Sequence, residues 1–350
     1  MKVAQFPAAE IARVRALMSQ DALSKADRVA RINGRYIGLA RDSALKKAFE
    51  AMVASIAVIG ISDMAKPDKR RIVALCGESG AGKTTALLTH TSECAAMLPY
   101  VNDDGNLVHP LLMMTAPSPC TPKLLAYEGL HAMGYPVRQN LKENEMWKLF
   151  RDVLKAHGVM WLVIDEAQHA VDASNGVEIT KIGNALKNLV QMPDWPVRIV
   201  LAGVAPLDAF LSRKQLANRC TKIPFGKMVG AAGIATMAEV ARLIIFDHAE
   251  MKTSLHEDQE FIQRLRHGCD KDFGTMVQMI RGAVELAIYA DECVITRKHF
   301  AECFESNTGR DEAENVFVAK NWEDIKPYTS AENEVGTRSR QQRWSRKKVA

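Results

Sequence analysis

Residues 71–84 read Arg71-Ile72-Val73-Ala74-Leu75-Cys76-Gly77-Glu78-Ser79-Gly80-Ala81-Gly82-Lys83-Thr84. The first six are almost wholly apolar, the pattern of a strand buried on both faces of a parallel sheet. The next eight fit GxxxxGK[ST] without a mismatch, and a helix is predicted over 83–97. Strand, glycine-rich loop and helix in this order make a phosphate cradle. The glycines let backbone N–H groups turn inward, and the helix directs its positive end at the same point. Lys83 places a charge on the β- and γ-phosphates, and Thr84 offers a hydroxyl to Mg²⁺. The candidate ATP-binding residues are Gly77, Glu78, Ser79, Gly80, Ala81, Gly82, Lys83, Thr84 and Thr85.

Similar apolar runs recur at 110–116, 159–164 and 197–202, with a weaker one at 220–225. Helical spacing separates them: Met146, Leu149, Phe150, Val153 and Leu154 share one face, as do Ile179, Ile182, Leu186, Leu189 and Val190. Strands alternating with helices predict an α/β fold, a parallel five-stranded sheet with flanking helices and right-handed crossovers. After about 230 strand signals stop. Helices are expected over 235–251, 258–267, 274–290 and 297–304, a helical lid. Upstream, 8–30 and 43–59 read as helices, and Pro67 breaks the linker that follows. The expected organisation is a basic helical segment (1–66), an α/β nucleotide-binding domain (67–229), the lid (230–305) and a polar basic tail, partly disordered (306–350).

The run 159–164 ends in Asp165-Glu166. A strand end beside the phosphate loop is where a Mg²⁺ carboxylate belongs, and Asp165 fits that role. Glu166 is then placed to orient and deprotonate the attacking water. Paired acids, with the run 110–116 between the two motifs, point to the ATPase branch with an added central strand. No NKxD-type guanine reader is apparent.

Composition narrows the class. With 47% hydrophobic and 25% charged residues the chain reads as globular, which excludes a mostly disordered or collagen-like protein. The longest apolar run, 51–61, falls short of the roughly 20 residues a membrane-spanning helix needs. The N-terminus carries no secretory pattern, so a cytoplasmic protein without membrane contact is expected. Seven scattered cysteines with no CxxC pair argue against structural zinc or a disulfide framework. The net charge of +5 is unevenly spread. Residues 1–47 carry +6 and residues 338–350 carry another +6, leaving −7 for the body between. Basic ends on an acidic body suit nucleic acid or an acidic partner.

Gly77–Thr84, Asp165-Glu166-Ala167-Gln168-His169 and Gln215-Leu216-Ala217-Asn218-Arg219-Cys220 together resemble the AAA+ ATPases that regulate DNA transposition, the TniB/TnsC group, with MuB a more distant comparison. Softer features agree: Arg28-Val29-Ala30-Arg31-Ile32 and Thr115-Ala116-Pro117. The similar region spans about 25–305. The resemblance implies an ATPase that uses ATP and Mg²⁺ and forms a homo-oligomeric ring or filament on double-stranded DNA, independent of sequence. It implies as partners a transposase and a target-selection protein. It makes Arg219 the arginine finger reaching a neighbouring subunit's γ-phosphate, with Arg213 the runner-up; the catalytic set is then Lys83, Glu166 and Arg219. Two of the family's features are altered. The first sensor falls at Gly203-Val204-Ala205, which offers no polar side chain. The second falls near Gly274-Thr275-Met276-Val277, with Arg281 further along. Both departures imply slow hydrolysis, as in a switch.

DNA gripped by its phosphates needs Lys or Arg on pore-facing loops. Lys123 and Arg138 are the candidates. Arg343-Trp344-Ser345-Arg346-Lys347-Lys348 suits nucleic acid or a partner protein equally. Two other functions fit the motifs: a replication initiator or clamp-loader ATPase, and a signalling NTPase that gates a protein platform. No repeat array follows the lid, which counts against the second.

Overall fold

The computed structural model describes residues 7–57, 71–138, 140–172, 176–212 and 216–328. In chain order the elements are α1 (Ala8–Ala16), α2 (Gln20–Gly34), α3 (Ala40–Ala54), β1 (Ile72–Gly77), α4 (Lys83–Glu93), β2 (Tyr100–Val101), β3 (Leu107–Val108) and β4 (Leu111–Thr115). Then come α5 (Pro122–Ala132), α6 (Glu143–Ala156), β5 (Trp161–Asp165), α7 (His169–Asp172), α8 (Gly176–Val190), β6 (Arg198–Gly203), α9 (Pro206–Leu211) and β7 (Cys220–Phe225). Four helices close the series: α10 (Gly230–Arg242), α11 (Gln259–Gly268), α12 (Phe273–Tyr289) and α13 (Arg297–Thr308). By their contacts the described residues fall into two compact units. One comprises those within 38–78 and 82–225, the other those within 7–37, 79–81 and 226–328.

The first unit is built on a five-stranded parallel sheet ordered β4-β5-β6-β1-β7. The expected strands all form, because each central run is apolar on both faces and helices cover both sides; β5 and β6 are buried throughout. Because β1, β5 and β6 run parallel, the loops that follow them leave from one edge of the sheet, where doubly wound folds bind ligands. Register sets their levels: Cys76 pairs with Gly203, and Thr115 with Asp165. A two-stranded β2–β3 ribbon, not anticipated from the sequence, precedes β4 and exposes Tyr100, Val101 and Leu107.

At the opposite ends of the strands two arginines close helix C-termini. Arg71 donates to the Val190 carbonyl that ends α8 (2.5 Å). Arg198 is buried and donates to Ser55 Oγ (2.8 Å), the Ser55 carbonyl (2.9 Å) and the Pro196 carbonyl (2.9 Å). Ser55 caps α3, so the guanidinium sits at the negative end of that helix. Burial, with the Arg71 charge adding to it, lowers the Arg198 pKa to about 10.

In the second unit, the region expected as one helix over 8–30 breaks at Ser19, whose hydroxyl accepts Ala22 N–H and starts α2. Past α10 the chain widens into a π-helical turn, Leu243–His248. Such a turn misaligns backbone groups, and α2 supplies partners for two carbonyls there: Arg35 donates to Asp247 O and Arg28 to Ala249 O, both at 2.6 Å. Arg281 in turn donates to Arg35 O (2.5 Å). Residues 309–328, polar in sequence, pack on the helices: Arg264 donates to Val316 O (2.7 Å) and Ala319 O (2.8 Å), and Val316 and Phe317 are buried. The basic residues Arg338 to Lys348 lie outside the described residues.

Arg198→Ala removes three hydrogen bonds and leaves a cavity, and is expected to cost about 2–3 kcal/mol. Arg198→Met, which fills the volume without burying a charge, should cost less. Urea unfolding of both variants checks the order.

Candidate nucleotide-binding site

The loop after β1 takes its shape from its glycines. Gly80 and Gly82 have φ of +83° and +84°, a conformation other residues adopt at a cost. Gly82 precedes α4, which begins at Lys83, so the first turn of that helix opens directly onto the loop. Gly77 is required for another reason: a Cβ there would lie 2.2 Å from the carbonyl oxygen of Phe225 on the neighbouring strand. Lys83 is buried, and its Nζ donates to the carbonyls of Gly77 (3.0 Å) and Glu78 (2.8 Å) across the loop. Glu78, Ser79 and Thr85 are exposed.

Thr84 lies next on α4, and its hydroxyl donates to Asp165 Oδ2 at 2.6 Å. The two motifs, 81 residues apart, thus meet at the carboxyl ends of β1 and β5. Asp165 is buried, and its other oxygen accepts the N–H of Glu166 at 2.9 Å. Glu166 is half-buried with φ of +52°, which turns it out of the strand line. Gln168, not singled out from the sequence, is buried beside it: Nε2 donates to Glu166 Oε2, and Oε1 accepts Val204 N–H from the end of β6 (3.2 Å).

The remaining expected residues lie apart from this cluster. Arg219 is half-buried at the end of a one-turn helix, Ala217–Arg219, directly before β7. The next residue, Cys220, pairs with Ile72, at the far end of β1 from Gly77. Arg213 and Gln215 lie outside the described residues. Lys123 is half-buried in the first turn of α5, whose cap Thr121 accepts Leu124 N–H (3.2 Å). Arg138 is exposed in the loop after α5. Among the described residues no cluster of three or more His, Cys, Asp or Glu could hold a metal. Thr84 and Asp165 nonetheless offer two hard oxygen donors side by side, which suits a cation that takes its other ligands from phosphate and water.

The family of bacterial TniB proteins matches residues 43–228, more than half of the chain. The chain belongs to the TniB family. It is accordingly an AAA+ ATPase that binds and hydrolyses ATP, with a DNA-associated regulatory role and self-association. In fold this TniB-family chain is similar to the ORC1 protein of Aeropyrum pernix in complex with DNA, at 18% identity and a TM-score of 0.54, over 79% of this chain and 68% of that one. It is also similar to the ORC2 protein of that organism in its ADPNP–ADP complexes (17%, TM-score 0.51, covering 81% and 72%). A third likeness is to Cdc6p from Pyrobaculum aerophilum (12%, TM-score 0.52, covering 78% and 69%). At these identities the likeness is one of fold. No curated protein matches the chain. Among the described residues no helix is long and apolar enough to cross a membrane.

Gly77→Ala forces β1 and β7 apart and should cost about 1–3 kcal/mol together with most nucleotide binding. Thermal melting with and without ATP measures both effects.

Proposed function

We propose that this TniB-family protein is an ATP-gated regulator of DNA transposition. ATP drives its assembly on target duplex DNA as a ring or filament. The assembly recruits and activates a transposase, in concert with a target-selection protein, and hydrolysis releases subunits. The observation that carries the reading is the contact of Thr84 with Asp165, which puts a nucleotide loop and a paired-acid strand end into one site of a TniB-family chain.

In this reading the loop residues from Gly77 to Thr85 hold the phosphates, with Lys83 exchanging its two loop carbonyls for phosphate oxygens. Thr84 and Asp165 hold Mg²⁺, which when bound offsets charge on the β- and γ-phosphates. Glu166 takes the proton of the attacking water. Arg219 serves the neighbouring subunit's nucleotide; its place at the far end of β1 from its own Gly77 supports action across an interface. Lys123 and Arg138 contact DNA phosphates. Lys123 stands at a helix N-terminus, where its charge and the helix dipole both favour an anion. A replication initiator shares the fold of the ORC and Cdc6 structures; dependence on a transposase and not on a helicase separates the two.

Binding of duplex DNA should require ATP, vary little with sequence and weaken steeply with salt, because phosphate contacts release counterions. Lys83→Ala should abolish assembly. A filter-binding series in ATP across salt concentrations checks this, and assembly of Lys83→Ala equal to the parent's would refute the switch.

Arg219→Ala should bind ATP yet lose hydrolysis by about 10³-fold, the low end for a finger acting in trans. Mixing it with Lys83→Ala should recover part of the activity, since a mixed interface joins an intact loop to an intact Arg219. No recovery once co-assembly is verified would take the finger role from Arg219.

A further inference from the structure

The end of β6, Gly203-Val204-Ala205, carries no polar side chain. Gln168 occupies the space beside it, 6% exposed, with its amide bridging Val204 N–H and the Glu166 carboxylate. The polarity of the amide is set by its neighbours. A backbone N–H only donates, so Oε1 must face Val204; Nε2 is left for Glu166, whose carboxylate only accepts. Gly203 makes the room: a Cβ there would lie 2.6 Å from Gln168 Oε1 and 3.1 Å from its backbone nitrogen. Ala167 N–H donates to Ala202 O at 2.8 Å, so the segment carrying Glu166 and Gln168 is tied to β6 by backbone as well. Glu166, in a left-handed conformation, is unfavourable for its own residue type and depends on such external contacts.

We propose that Gln168 is a positioning residue for ATP hydrolysis: its amide aims the Glu166 carboxylate from the end of β6, supplying from the paired-acid loop the polar group that the strand itself lacks. One carboxylate oxygen is held by Nε2 and the other is left for water. The proposal rests on the reading of Glu166 as the group that activates water.

Gln168→Glu gives the discriminating test, because it keeps the shape and the acceptor for Val204 and replaces only the donor, by a second carboxylate. ATP affinity should stay near the parent's, while the melting temperature at pH 8 should fall, because a second carboxylate is buried against the first. At pH 8 kcat should fall on the order of 10²-fold, the scale of a small misplacement of a reacting group. Toward pH 6 it should recover in part, because two facing carboxylates come to share one proton; the parent should show no such recovery. Gln168→Ala should lose kcat to a similar degree without the acid-side recovery. Parent-like kcat in Gln168→Glu across this range overturns the proposal. So does a pH-independent loss in Gln168→Glu that matches Gln168→Ala, or a loss that follows ATP affinity in both variants; each would leave Gln168 a packing role. Glu166→Gln, assayed alongside, should bind ATP and turn over roughly 10²-fold or more slowly. A slow Glu166→Gln with a parent-like Gln168→Glu removes the positioning role alone. Parent-like turnover in Glu166→Gln removes the role of Glu166 and the proposal with it.

Discussion

The hydrogen bond from Thr84 to Asp165, 2.6 Å long, sets a demand on the whole first unit. The two residues sit on elements separated by β6, so they meet only if β1, β6 and β5 run parallel with their carboxyl ends level. That register is held by strands with no solvated face. A slip of one residue would turn every side chain of a strand to the other side, which apolar packing on both faces does not by itself forbid. The specifying contacts lie at the ends. At the carboxyl end, Gly77 fits under the Phe225 carbonyl, Gly203 under Gln168, and Thr84 against Asp165. At the amino end, Arg71 and Arg198 grip the last carbonyls of two flanking helices. Polar contacts at both rims thus pin a sheet whose interior is nearly featureless.

This division explains what the sequence made legible. Buried parallel strands announce themselves as short apolar runs, and the phosphate loop is written in contiguous residues, so the fold class and the core of the site could be read directly. What depended on distant partners could not. Arg198 looks like an interruption at the start of an apolar run; its reason is the end of α3, 143 residues away in the chain. Gln168 follows the acids without a motif of its own, and its importance appears only beside the bare end of β6. Val316 and Phe317 stand in a polar stretch, and their burial depends on Arg264 catching the backbone around them. The short β2–β3 ribbon leaves its apolar residues exposed, so periodicity gave no sign of it.

The basic N-terminal arm shows how charge counts mislead when partners are unknown. Its excess suggested contact with nucleic acid. Yet Arg28 and Arg35 donate to carbonyls at the π-helical turn, Arg15 pairs with Asp27, and Lys25 pairs with Asp291. Of these, the Arg15–Asp27 pair is exposed on both sides, worth little to stability and able to exchange for phosphate at small cost, whereas Lys25 is half-buried between Asp291 and Asp21. The two arginines on backbone carbonyls are different: moving them would leave polar groups of the π turn unmet. Any DNA contact by this arm therefore falls to a residue such as Arg15 before Arg28 or Arg35.

The bare end of β6 follows the same logic of compensation. A polar side chain at Gly203 would need the volume that Gln168 now fills, since even a methyl group there would meet Gln168 at 2.6 Å. The two solutions exclude one another sterically, so the glycine and the glutamine belong together as one device. It holds Glu166 through a neutral amide, with the Glu166 side chain half-buried beside it. Because the other end of the amide rests on Val204 N–H, the orientation of Glu166 depends on where β6 ends, and α9, which begins at Pro206, follows two residues later. Past α9 the chain leads to Arg219 and β7. The carboxylate proposed to activate water is thus linked, through Gln168, to the strand end from which the chain runs on to the residue proposed as the finger.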